Sequence, residues 1–163
     1  MMRNLLVLLL GVVILILENS IFNYMNIFKV SINFLLIYMV FVSLSLDKKQ
    51  GAFTGLILGI IKDISVGKFL GLNAFILFVV GYVLGILKDK VFKENIFTVL
   101  VLVIFSTIFD NSLQFLLSSY FLAGKPLYLF VYRGIFLIPL LNLIFSLLLY
   151  RPLKRFIKII ESV

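Results

Sequence analysis

Long apolar runs separated by brief polar punctuation organise this chain, and the runs come at membrane-crossing length. Apolar residues dominate from about residue 3 to 22, 27 to 46, 51 to 66, 69 to 87, 96 to 122 and 127 to 150. A hydrocarbon core needs about 20 residues of helix to cross it, and each run approaches or exceeds that. The first run resembles a signal peptide, but Glu18-Asn19-Ser20 is no small-residue cleavage site and apolar residues resume at Ile21, so it reads as a retained span. The third is short and interrupted by Lys62-Asp63, and the fifth is long enough to tilt or break near Asp110-Asn111. The pattern predicts an all-α membrane protein of six transmembrane helices over residues 1–150, with a basic cytoplasmic tail at 151–163.

A finer pattern runs through the third span. Gly51, Gly55, Gly59, Asp63, Gly67 and Gly71 recur every fourth residue. Four helical residues turn about 400°, so the stripe drifts only about 40° per step and any three consecutive members share a face. Small residues on one face let a second helix backbone come close, which predicts a helix-packing seam with one acid in it. Gly81 and Gly85 repeat the spacing in the fourth span.

Composition narrows the function. The chain has 163 residues, of which 63% are hydrophobic and 13% charged, and its mean hydropathy is +1.24. With no cysteine and no histidine there is no thiolate, no disulfide and no imidazole base or metal ligand. No metal-ligand or cofactor spacing is present, and nothing in the pattern points to catalysis. The net charge of +8 does not mark a nucleic-acid binder, because the basic residues sit at the ends of apolar runs. With six spans, ten of the fifteen Lys and Arg fall on the side that carries both termini. The positive-inside rule then puts both termini in the cytoplasm of a multi-pass protein of the cell membrane. In the tail, Arg151, Lys154, Arg155 and Lys158 share one helix face and Leu153, Phe156, Ile157 and Ile160 the other. That predicts an interfacial helix favouring anionic lipids, by about 1 kcal/mol per basic residue, or a docking site for a cytoplasmic partner.

Polar residues inside the spans are the candidate site. At about 1.5 Å per residue, Glu18, Asp63 and Asp110 lie ~18–22 Å from the inner ends of their spans, and Arg133 lies ~9 Å from the outer end of its own. These four share a layer in the outer half, with Gln114 one turn from Asp110 and Asn142 deeper in the sixth span. Such a layer can bind a cation, relay protons, line an outward-facing cavity, or be neutralised internally by Arg133 and Lys62. A structural polar knot is the leading expectation, with Arg133 paired to Asp110 as its first-choice contact.

These residues resemble the rod shape-determining MreD family nearly end to end. The resemblance rests on Glu18-Asn19-Ser20-Ile21-Phe22 closing the first span, on GLILGIIKDISVGKFLGLNAF, on Asp110, on Arg133, Pro139 and Asn142, and on the basic tail from Pro152. Lys62 beside Asp63 departs from the pattern, where an apolar or aromatic residue is expected. The resemblance implies a fold similar to the substrate-binding (S) subunits of energy-coupling-factor transporters. It implies a non-enzymatic scaffold of the cell-elongation machinery that binds an MreC-like bitopic protein. Through it the scaffold would meet MreB, RodA and a penicillin-binding transpeptidase, with no cofactor. The alternative is a vitamin-capturing S subunit, against which stand the absence of tryptophan and the short loops.

Overall fold

The computed structural model describes residues 2–22, 32–66, 69–91, 95–121 and 127–161. Helix α1 (Met2–Leu17) widens into a π-helical turn, π1 (Glu18–Phe22). Helices α2 (Phe34–Ser43), α3 (Lys48–Val66), α4 (Leu72–Leu87) and α5 (Ile96–Phe121) follow. The last helical stretch is continuous: one turn of α6 (Leu127–Leu129), the π-helical π2 (Phe130–Leu137), then α7 (Ile138–Glu161). Pro139 has no N–H to offer the carbonyl four residues back, and the wider π turn just before it relieves that clash.

Helix α2 is the hub. It packs against α1, α3, α4, α5 and α7, and these five form a ring in which α1 touches α3, α3 touches α4, α4 touches α5, α5 touches α7 and α7 touches α1. All ten α2 residues are buried. A helix covered on every side needs no polar face, which is why FLLIYMVFVS shows no amphipathic period.

Among the described residues, three stretches are long and apolar enough to cross a membrane: Arg3–Ser20, Ile96–Ser118 and Leu127–Ile159. The second expected span turns out differently. Ile32 and Asn33 are not helical and α2 begins only at Phe34, so its ten residues reach ~15 Å, about half a hydrocarbon core. The start of that expected span, residues 27–31, lies outside the described residues. Helix α5 passes through Asp110-Asn111 without the break its length suggested. The basic tail continues α7 through Pro152 instead of forming a helix of its own. Leu153 is buried there while Arg151, Arg155 and Lys158 are exposed, and the Lys154 ammonium lies 5.3 Å from the Tyr150 ring centre.

The glycine pattern resolves into an antiparallel α3–α4 seam. A Cβ added to Gly51 would come 2.6 Å from the Gly81 carbonyl oxygen, and one on Gly59 would come 2.6 Å from the Ala74 nitrogen. One on Gly55 would come 2.6 Å from the Leu77 carbonyl carbon and nearer still to its oxygen. Gly85 meets Lys48 in the same way, so Gly81 and Gly85 are the reciprocal half of the seam. Gly71 has a different duty from the one its register suggested. Nothing lies within 4 Å of its absent Cβ, and its φ of 92° is a left-handed turn just before α4. Gly67 lies outside the described residues.

At the opposite end of the bundle the elements are tied by polar and aromatic contacts. The Arg3 guanidinium donates to Gln50 Oε1 at 2.6 Å, Lys88 pairs with Asp47, and Tyr150 packs edge-on against Phe41 at 5.9 Å. The hydrogen bond from the Lys88 ammonium holds the Asp47 carboxyl below its ordinary value.

Candidate functional site

The start of α2, deep in the bundle, leaves backbone N–H groups with no helical partner, and polar side chains converge on it. Asn33 caps the helix, its Oδ1 accepting from the Leu36 N–H at 3.0 Å. The Asn33 N–H donates to Asn142 Oδ1 at 3.1 Å. Glu18 reaches in from π1, and its Oε2 accepts from the Leu35 N–H at 2.8 Å. The π turn in which Glu18 opens departs from the α-helical path at the point where this side chain is needed. A carboxylate here also meets the positive end of the α2 dipole.

Lys62 closes the arrangement from α3. Its ammonium donates to Glu18 Oε1 at 2.9 Å and to Asn33 Oδ1 at 2.8 Å, and both partners of the ion pair are largely shielded, at 10% and 14% side-chain exposure. From α5, Asp110 accepts from Asn33 Nδ2 at 2.8 Å and from Gln114 Nε2 at 2.7 Å. From α7, Asn142 Nδ2 donates to Thr107 Oγ1 at 3.0 Å, and the Thr107 hydroxyl donates to the Val103 carbonyl. Asn142 and Thr107 are completely buried. The result is one hydrogen-bonded knot drawn from π1, the α2 cap, α3, α5 and α7.

Non-helical backbone at this depth is tolerated only where protein covers it, and the knot supplies that cover for Ile32 and Asn33. Among the described residues, the one buried side-chain polar atom without a partner is Ser43 Oγ, at the other end of α2. A fully satisfied network in a low-dielectric interior rigidifies what it joins.

The residues singled out from sequence divide into three groups. Glu18, Asp110, Gln114 and Asn142 meet in the knot. Asp63 does not join it. Its side chain instead caps α4, accepting from the Gly71, Asn73 and Ala74 N–H groups at 3.0 Å each and from Asn73 Nδ2 at 2.8 Å. Lys62, its neighbour, points the other way, so the two adjacent charges serve different helices. Arg133 is the correction. It lies half-buried in π2, and among the described residues the ion pairs are Lys62–Glu18 and Lys88–Asp47. Asp110 is held by two amides, not by the guanidinium. The sequence reading passed over Asn33 and Thr107, although an asparagine within SINFLLIYMV carries a signal: an amide in a membrane run needs partners.

The family model for rod shape-determining protein MreD matches residues 2–160. No curated protein matches the chain, and no solved structure does. With that match covering nearly the whole length, on an all-α fold of membrane-crossing helices, the chain belongs to the MreD family of rod shape-determining proteins.

Proposed function

We propose that this membrane protein acts in rod-shape determination as a rigid, non-enzymatic intramembrane scaffold. The reading has it binding an MreC-like bitopic protein and, through it, linking MreB to RodA and a penicillin-binding transpeptidase. The observation that carries the reading is the self-sufficiency of the knot. Glu18, Lys62, Asn33, Asp110, Asn142 and Thr107 spend their hydrogen bonds on one another and on the capped end of α2. Polar groups committed in this way hold helices in place, leaving recognition to the outer surface. The reading includes six crossings with both termini in the cytoplasm. It is supported by the clustering of Arg3, Lys48, Lys49, Lys88 and Lys90 with the basic end of α7 at one end of the bundle. Arg151, Lys154, Arg155 and Lys158 there would hold anionic lipid headgroups.

The test is purification of the tagged full chain from native membranes in mild detergent, with identification of co-eluting proteins. Recovery of an MreC-like bitopic protein is the expected result. Recovery of a paired ATPase module instead would replace the scaffold with a transporter's capture subunit.

A further inference from the structure

Among the described residues, Arg133 has no counter-charge. The sequence contains seven acids. Glu18 is paired with Lys62, Asp110 is held by Asn33 and Gln114, Asp63 caps α4, and Asp47 is paired with Lys88. Asp89 and Glu94 belong to the connection between α4 and α5, and Glu161 to the last turn of α7, all far along the chain from π2. Residues 23–31 and 122–126 contain no acid at all. Among the described residues the guanidinium has neither an ion-pair nor a hydrogen-bond partner. Every other charged group in the outer half of the bundle that the structure describes is partnered.

Two contacts fix the depth of Arg133. The Asn111 amide donates to the Gly134 carbonyl at 2.9 Å, and the Phe130 ring stacks on Phe115 with centres 4.3 Å apart. Arg133 is therefore about level with Ser112 and lies six residues, or ~9 Å, below Leu127, where its own apolar stretch begins. A lipid phosphate is met only if the side chain snorkels up to the headgroups, whereas an acid on a neighbouring helix can sit level with the guanidinium. Arginine keeps its charge in any protein environment, so it needs such a group. Along the same element, Tyr132, Phe136, Leu140, Ile144 and Leu148 recur every four residues and are exposed, between 43% and 67%. They form an apolar track ~24 Å long on the exposed side of the element, while Asn142 and Ser146 between them are buried.

We propose that the π2–α7 face docks a membrane-embedded helix of another protein, and that Arg133 recognises an aspartate or glutamate carried by that helix in the outer half of the membrane. The guanidinium fork can take a carboxylate with two parallel hydrogen bonds, which sets the register of the incoming helix as well as its identity. This inference rests on the scaffold reading, and the two can fail separately.

The test places a photo-crosslinking residue at Phe136 of the full chain in native membranes, with a control at Phe53, which is exposed on α3. The expected adduct is a membrane protein whose spanning segment holds an Asp or Glu, formed from Phe136 and not from Phe53. Arg133→Gln should lower its yield about tenfold. It should do so without lowering accumulation of the protein, because the guanidinium bonds to no described residue. Arg133→Asp combined with Arg at the partner's acid should restore the yield. An adduct that survives Arg133→Gln, one to lipid only, or a partner segment without an acid overturns the site. If affinity purification still recovers a bitopic partner in those cases, the scaffold stands and only the docking face falls. If the wild-type chain captures no membrane protein by either route, both fall.

Discussion

Two regions of the bundle solve opposite problems. The α3–α4 seam brings backbones together by leaving side chains out, at Gly51, Gly55, Gly59, Gly81 and Gly85. The knot at the start of α2 holds five elements together by putting polar side chains in. In lipid there is no hydrophobic force to press helices together, so association comes from close packing and from interhelical hydrogen bonds. The seam uses the first and the knot the second. They differ in how they fail: a seam is broken by an added methyl group, a knot by a removed partner.

The largest effect is expected at the seam. Gly55→Leu must push its new atoms into the Leu77 carbonyl, and backbone cannot rotate away as a side chain can. It should exceed the ~3 kcal/mol at the top of the usual overpacking range, read as loss of membrane accumulation. Gly11→Leu makes the sharper comparison. The atoms nearest to a Cβ there are the Leu58 methyls, which can move, so its cost should be smaller. In the knot, Lys62→Met leaves Glu18 without its cation and should cost about 3 kcal/mol, the lower end for a broken buried pair. Gly71→Ala tests backbone freedom without packing. Its left-handed φ should cost roughly 1 kcal/mol although the site has open space around it. The smallest effect belongs to the exposed Asp47–Lys88 pair. Because the Asp47 pKa is lowered in the folded protein, its contribution is present above the ordinary carboxylate pKa of 3.8 and is lost only as pH falls below it. Asp47→Asn should leave thermal stability in detergent at neutral pH nearly unchanged, and any difference from wild type should vanish in strong acid.

The two regions also differed in how much of them could be read in advance. The seam is a local code, a four-residue period within one helix, and Gly51, Gly55 and Gly59 stand where that period put them. Gly71 matched the period yet serves a turn, because spacing alone does not report φ. The inter-element hydrogen bonds of the knot join residues 17 to 109 apart along the chain, and depth arithmetic placed Glu18, Asp63, Asp110 and Arg133 at one level, with Asn142 deeper, without saying which way each points. Asp63 turns to cap α4, and Arg133 is half-buried in π2 with no partner among the described residues. The short α2 was hidden because an apolar run is equally consistent with a full span and with a half-length core helix. Only the Asn33 cap, a single amide, marks where the helix begins.

The central claim is that the knot is structural: its polar groups hold helices and bind nothing else. The most direct measurement is the Glu18→Gln, Lys62→Met double variant, compared with each single variant for thermal unfolding in detergent and for support of rod shape in cells lacking the native copy. The single variants should be destabilised. The double variant, with no orphaned charge, should regain more than half of the loss in stability, and rod shape should return with it. A double variant that regains stability and accumulates normally, yet leaves cells round, would contradict the claim. It would show that the Glu18–Lys62 pair meets a ligand or partner of its own.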